Sequence, residues 1–303
     1  MQINKNLQKF ANLLKQVGVL IIKNPALFFL VVLFDFIFVF VFSVTYGIVQ
    51  LKMLDVISRL FTLIGEETGG LAYSLNAENF SKAASLANNP QFNQLTGTLM
   101  KYVLIGFLVL FVCFVLFESV AWFFSYRLSN NKDNKLGFFR YIKNFVVLTV
   151  PFMLATDLWI LYCMQGFLSS GLSIAPLIPK GWWKFIFGIG IVVIWYFGIL
   201  AFSSEKKGIW ANFKQAFRLG TKQINHVWIS AVFVIVVTIL IDLFLKVPWL
   251  VDAKVAYFIM GFILLFLWFV YARVLMFKTV KIAVDKNRQK PHAKMSVVSV
   301  KKK

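Results

Sequence analysis

Long runs of apolar residues alternate with shorter polar segments along the whole chain. A run of roughly 18 or more apolar residues is long enough to cross about 30 Å of hydrocarbon as an α-helix. The pattern predicts six such transmembrane helices, at about residues 26–49, 102–125, 145–166, 183–203, 227–245 and 255–277. The chain is therefore predicted to be an all-α, polytopic membrane protein with a six-helix transmembrane domain over 26–279.

A second pattern, with helical period, flanks these runs. In residues 1–25 four apolar positions recur at helical spacing among lysines, which predicts a basic amphipathic helix on the membrane surface. The predicted outer loop, 50–101, begins with a similar apolar face and suggests a second interfacial helix. The apolar positions are Leu7, Phe10, Leu14 and Val17 in the first segment and Leu51, Leu54, Ile57, Phe61 and Ile64 in the second.

Three basic amphipathic segments each precede a pair of predicted spans. They read NLQKFANLLKQVGVLIIKNP, KLGFFRYIKNF and WANFKQAFRLGTKQINHVW, and a carboxylate follows inside each next span, as Asp35, Asp157 and Asp242. In the third segment the spacing places Trp210, Phe213, Phe217 and Ile224 on one face and the basic residues on another. One interpretation is a threefold repeat of helical hairpins. The alternative is that the three segments converged independently on a common design, in which a basic segment precedes each outward-going helix.

Six spans with amphipathic lead-ins, such as the stretch NFKQAFRLG from Asn212 to Gly220, give the chain a resemblance over most of its length. It resembles the membrane domain of some glycerophosphodiester phosphodiesterases and their uncharacterised stand-alone six-span relatives. The resemblance implies a membrane domain of this type. The phosphodiesterase domain, with its acidic and histidine metal site, has no counterpart in this sequence, so the resemblance does not imply that activity.

Composition excludes a soluble globular domain. The chain is 60% apolar and 15% charged, against about 45 to 50% and about 25% in soluble domains. Its net charge of +20 follows largely from topology, because 24 of the 32 basic residues lie on the side of the termini. The bias predicts a multi-pass cell-membrane protein with both termini in the cytoplasm. The basic residues are then expected to face an anionic lipid leaflet, and no nucleic-acid partner is predicted. Candidate lipid contacts are Lys207, Lys214, Arg218 and Lys222.

Two polar segments lie outside the predicted spans. Residues 280–303 are basic and poor in core-forming residues, which predicts a disordered cytoplasmic tail that binds the leaflet or fixes topology. In the outer loop, Asn79, Phe80 and Ser81 form an acceptor sequon for glycosylation.

Four carboxylates fall inside the predicted spans: Asp35, Glu118, Asp157 and Asp242. Because a charge in hydrocarbon costs at least about 2.5 kcal/mol, each should face the protein interior, pair or stay protonated. At 1.5 Å per residue, Asp35 and Glu118 lie about 11 to 14 Å from the cytoplasmic boundary, within reach of Arg273. This polar network admits two roles: it locks helices together, or it forms a path for a cation or proton.

Sequence chemistry favours neither catalysis nor a cofactor. The chain has two histidines, and Cys113 and Cys163 stand in separate spans without metal-ligand spacing. Asp157 and Asp242 are loose candidates for an intramembrane aspartyl protease but lack its surrounding motif. Seven tryptophans mostly fall near the ends of predicted spans, as an aromatic belt at the membrane interface requires: Trp122, Trp159, Trp182, Trp183, Trp195, Trp249 and Trp268. The sequence thus predicts a non-enzymatic membrane scaffold or lipid-associated domain. The alternative is a small-solute or cation transporter, which a water-accessible cavity lined by these carboxylates would favour.

Overall fold

The computed structural model describes residues 2–68, 88–129, 137–172, 178–179, 181–204, 208–245 and 254–300. Within these ranges the chain is helical and contains no strand. The elements are α1 (Gln2–Lys23), α2 (Pro25–Thr68), α3 (Pro90–Cys113) with a π-helical turn (Phe114–Glu118), α4 (Ser119–Ser129), α5 (Phe138–Leu172), α6 (Trp182–Phe202), α7 (Ile209–Phe217) with a second π-helical turn (Arg218–Lys222), α8 (Ile224–Leu245) and α9 (Lys254–Val300).

Among the residues that the structure describes, six helical stretches are long and apolar enough to cross a membrane, which confirms the predicted all-α class. They are Pro25–Glu66, Pro90–Ser129, Phe138–Gly166, Trp182–Phe202, Val227–Leu245 and Ile263–Asp285. The chain therefore has the features of a multi-pass membrane protein.

The first two spans continue well beyond their predicted outer ends. α2 runs unbroken to Thr68, so residues 51–64 belong to it and not to a separate interfacial helix. No proline or glycine pair interrupts α2 before Gly69, which explains its length. α3 begins at Pro90, where the Oδ1 atom of Asn89 caps it by accepting hydrogen bonds from the backbone N–H groups of Gln91 and Phe92. Both ends of the predicted outer loop 50–101 are therefore helical.

Other boundaries also differ from the predictions. α9 extends to Val300 and includes most of the segment predicted to be a disordered tail, 280–303. Lysine, a good helix former, is the commonest residue of this segment. The second amphipathic lead-in is part of α5, whereas the first and third form the separate helices α1 and α7. The three predicted units thus differ locally, and the sequon at Asn79 lies outside the described residues.

The chain divides into two compact units. The smaller, Phe36–Phe117, is called the hairpin unit and contains most of α2 together with α3 and most of the first π turn. Within it, Gly106 lies so close to Tyr46 that an added Cβ atom would be 3.1 Å from the ring. The stacked rings of Phe42 and Tyr46 have centroids 5.2 Å apart. A small residue on α3 therefore lets the two helices of this unit approach closely.

The larger unit, Met1–Asp35 and Glu118–Lys303, is called the main unit. α1 packs into it through one apolar face, since Val17 is fully buried and the Tyr271 hydroxyl donates a hydrogen bond of 3.1 Å to the carbonyl of Leu14. Lys9 and Lys15 of α1 are exposed. The amphipathic pattern of the sequence is thus satisfied partly by protein. The core that α1 joins contains Leu13, Val17, Val31, Ala121, Leu128, Val270, Val274 and Leu275.

α5 and α6 are held together by two tryptophans that lie on glycines of the opposite helix. A Cβ atom added to Gly190 of α6 would be 2.0 Å from the Trp159 ring, and one added to Gly166 of α5 would be 2.2 Å from the Trp183 ring. The Trp159 Nε1 atom also donates to the carbonyl of Phe187 at 3.2 Å. Each glycine therefore provides the space that a large ring needs at this helix pair.

Candidate functional site

The main unit buries two carboxylates and an arginine from three segments of the chain. Asp35 is on the first part of α2, one turn after the fully buried Val31, and is only 2% exposed. Its position on the packed face of an apolar helix removes the carboxylate from solvent. A group buried in this way must be charge-paired or hydrogen-bonded.

Glu118 is the last residue of the π-helical turn between α3 and α4 and is 6% exposed. A π turn holds one residue more than an α turn, which shifts the following side chains by about 100° around the helix axis. The residues after it are mostly buried, including Ser119, Ala121 and Trp122. The π turn thus helps to direct this end of the span, with Glu118, toward the interior, and π turns recur at functional sites.

Arg273 of α9 connects the two acids. Its Nη1 atom donates to both carboxylate oxygens of Asp35, at 2.7 Å and 2.9 Å, and its Nη2 atom donates to the Oε2 atom of Glu118 at 2.5 Å. The Arg273 side chain is 11% exposed. These charge-assisted bonds join three segments that are far apart in sequence. We call Asp35, Glu118 and Arg273 the ionic triad.

An aromatic ring completes the surroundings of the guanidinium. The Cζ atom of Arg273 lies 5.5 Å from the centroid of the Trp122 ring, within the range of a cation–π interaction. Trp122 is 6% exposed and packs against Phe202 and Phe277, with ring centroids 5.5 Å and 5.6 Å away. Its prediction as a residue of the interfacial belt is therefore wrong, because the π turn and the surrounding rings direct it into the core.

The triad contains two carboxylates and one guanidinium, so its formal charge is −1 when every group is ionised. The groups bond one another. A cleft of about 590 Å³ lies elsewhere, between α2 and α3 of the hairpin unit, and its lining includes Asp55, Arg59, Gln94 and Tyr102. Among the described residues, no group of three or more histidine, cysteine or acidic side chains is placed to hold a metal ion.

The sequence grouped Asp35, Glu118 and Arg273, and the structure brings all three together. The other two intramembrane acids stand outside the triad. Asp157 is half-buried on α5 and Asp242 is exposed on α8.

The four candidate lipid contacts lie on or near α7. Lys214, Arg218 and Lys222 are exposed, whereas Lys207 lies outside the described residues. Trp210 is 85% exposed, whereas Phe217 is 51% exposed and stacks on Phe197 of α6, with ring centroids 4.7 Å apart. The predicted aromatic face is therefore only partly covered by protein. Asn212, Gln215 and Ala216 form the buried face of α7.

The fold and the triad together define a class, a multi-pass helical membrane protein with an internal arginine–dicarboxylate cluster. Comparison with known proteins adds no closer assignment: no family model, no curated protein and no solved structure matches the chain. The resemblance to membrane domains of glycerophosphodiester phosphodiesterases stays a prediction.

Proposed function

We propose that this chain is a non-enzymatic membrane scaffold, embedded in the cell membrane with both termini in the cytoplasm. In this role the ionic triad joins the first part of α2, the first π turn and α9, and the bundle offers a stable platform to lipids or partner proteins. The cytoplasmic orientation rests on the three-to-one distribution of basic residues between the two sides.

The observation that carries the proposal is the pairing of the intramembrane charges. Arg273 bonds Asp35 through both carboxylate oxygens and Glu118 through one, and all three residues are nearly buried. A transport path needs charged groups that water and solute can reach and that exchange partners as the protein alternates. Charges that bond each other and pack against apolar side chains are better suited to hold helices in place.

Reconstitution into liposomes tests the proposal against transport. Wild type, Asp35→Asn and Glu118→Gln are compared for proton, sodium, potassium and small-solute flux, with Asp55→Asn as the matched control. Asp55 is exposed and lies outside the ionic triad, so its loss leaves the triad unchanged. We expect no solute-dependent flux from wild type and a lower unfolding temperature for the two triad variants. Flux by wild type that disappears in folded Asp35→Asn but persists in Asp55→Asn would establish a transporter instead.

Orientation is tested separately by labelling single cysteines placed in residues 70–95 with a membrane-impermeant reagent. The native Cys113 and Cys163 are buried, so they give little background. Labelling in intact cells agrees with an outer loop. Labelling only after the membrane is opened contradicts the proposed topology.

A further inference from the structure

α7 and its π turn lie between two membrane-spanning helices. α6 ends at Phe202, and α8, the next span, begins at Ile224. The segment Ile209–Phe217 with its π turn Arg218–Lys222 therefore stands at the end of the bundle where the chain leaves the apolar layer and enters it again. A short helix in this position meets lipid headgroups.

One face of this segment is committed to the protein. Asn212, Gln215, Ala216 and Leu219 are buried. Gly220 lies so close to α6 that an added Cβ atom would be 2.5 Å from the Phe197 ring. This contact fixes the rotation of the helix, and therefore determines which residues face away from the bundle.

The opposite face combines large rings with positive charge. Trp210 is 85% exposed, and Phe217 is 51% exposed although its ring stacks on Phe197 of α6 with centroids 4.7 Å apart. Lys214, Arg218 and Lys222 of the same segment are also exposed. In water, the exposed areas of this tryptophan and phenylalanine would be unfavourable, because apolar side-chain surface would be in contact with solvent. At the membrane–water interface, aromatic rings lie at the level of the headgroups, and lysine and arginine pair with lipid phosphates. Both the rings and the charges of this face therefore have favourable surroundings there. We call these five residues the α7 outer face.

We infer that the α7 outer face binds anionic phospholipid of the leaflet on the side of the termini. This deepens the proposed scaffold function, on which it rests, by naming the lipid class that the scaffold engages. The three cations complement phosphate-bearing headgroups with a net negative charge, and the two rings bind only where a bilayer interface accompanies that charge. The ligand is thus a phospholipid in its membrane and not free phosphate.

The first experiment measures the affinity for anionic lipid. Phosphatidylglycerol or phosphatidylcholine is titrated into the full-length protein in zwitterionic detergent, with the rise in unfolding temperature as the signal. A basic residue near an anionic surface contributes about fivefold in affinity. Lys214→Gln/Arg218→Gln/Lys222→Gln is therefore expected to lose more than about tenfold in apparent affinity for phosphatidylglycerol and to respond to phosphatidylcholine as wild type does.

The matched control removes the same charge elsewhere. Lys52, Arg59 and Lys101 are exposed residues of the hairpin unit, so Lys52→Gln/Arg59→Gln/Lys101→Gln lowers the net charge equally. We expect the control to retain the wild-type affinity for phosphatidylglycerol. Equal losses in the two triple variants would reduce the effect to net charge and would overturn the inference. If the α7 triple variant does not fold, the single variants Lys214→Gln and Arg218→Gln carry the same comparison, each with a loss of about fivefold.

A second experiment tests contact with the bilayer directly. Wild type and Trp210→Phe are placed in nanodiscs whose phosphatidylcholine carries bromine on the acyl chain next to the headgroup. The fraction of the tryptophan fluorescence that the bromine quenches is compared between the two proteins. A smaller quenched part in Trp210→Phe supports insertion of the α7 outer face, and an unchanged one overturns it. Inorganic phosphate that raises the unfolding temperature as phosphatidylglycerol does would also overturn it, by showing a site for the free anion. None of these results depends on flux, so the scaffold proposal and the lipid site can fail independently.

Discussion

The pair Asp55–Arg59 in the hairpin unit and the pair Asp35–Arg273 in the main unit join the same chemical groups at 3.0 Å and 2.7 Å. Their surroundings differ. The side chains of the first pair are 57% and 67% exposed, whereas those of the second are 2% and 11% exposed. The first pair also links neighbouring turns of one helix, while the second links two helices far apart in sequence. Distance alone therefore says little about what an ion pair does.

The two pairs differ in what surrounds each charge once the pair is broken. When an exposed pair is broken, water solvates both charges, so such pairs contribute about 0 to 1 kcal/mol. When one partner of a buried pair is removed, the other remains as an uncompensated charge in an apolar environment, at a cost of about 3 to 5 kcal/mol. The buried triad is thus expected to specify which helices meet, and the exposed pair is expected to be nearly dispensable.

The largest effect is expected from Arg273→Met, which leaves Asp35 and Glu118 buried together without a cation. We expect a loss of about 3 to 5 kcal/mol in the free energy of unfolding, or failure to accumulate folded protein. Titration with a denaturing detergent measures it, with Arg59→Met as the control, for which the loss should stay within about 1 kcal/mol. Similar losses in the two variants would remove the distinction between buried and exposed pairs.

The next effect tests whether the triad acts as a unit. Asp35→Asn and Glu118→Gln each leave Arg273 with one carboxylate, and we expect losses of about 2 and about 1 kcal/mol because Asp35 accepts two of the three hydrogen bonds. The double variant leaves a buried arginine without any anion of the triad.

For this reason the double variant should lose more than the sum of the two single variants, by at least about 0.5 kcal/mol in a double-mutant cycle. The same titration on all four proteins gives the coupling. Strict additivity would contradict a shared role for the two acids.

Sequence reasoning predicted much of this site, and the reason is visible in particular residues. Asp35, Glu118 and Arg273 are rare charges in long apolar runs, and a rise of 1.5 Å per residue places them at similar depth. The position of Trp122 near a span end indicates the wrong environment because the π turn at Phe114–Glu118, which has no simple sequence signal, changes the direction of the following side chains. Helix ends such as Thr68 were missed because hydropathy reports the thickness of the apolar layer and not the length of a helix that continues beyond it.

A smaller effect is expected at Trp122, which contacts the triad through its ring face. Trp122→Phe keeps an aromatic ring but provides a weaker one, so we expect a loss of about 1 to 2 kcal/mol from a weakened cation–π interaction and reduced packing. The control Trp210→Phe alters an exposed tryptophan and should change the free energy of unfolding in detergent by less than about 0.5 kcal/mol. An equal effect at the two positions would mean that the ring near Arg273 contributes nothing specific.

The smallest effect is expected from Asp55→Asn, and its dependence on salt sharpens the comparison. An (i, i+4) pair on a helix surface contributes about 0.3 to 0.5 kcal/mol, and this difference from wild type should vanish as salt is raised to about 1 M, where the screening length is about 3 Å. The difference between Asp35→Asn and wild type should persist, because buried charges are screened much less. Thermal unfolding of the three proteins at low and high salt measures both changes. A salt-sensitive loss for Asp35→Asn would mean that water and ions reach the triad, which is the condition that a transport pathway requires.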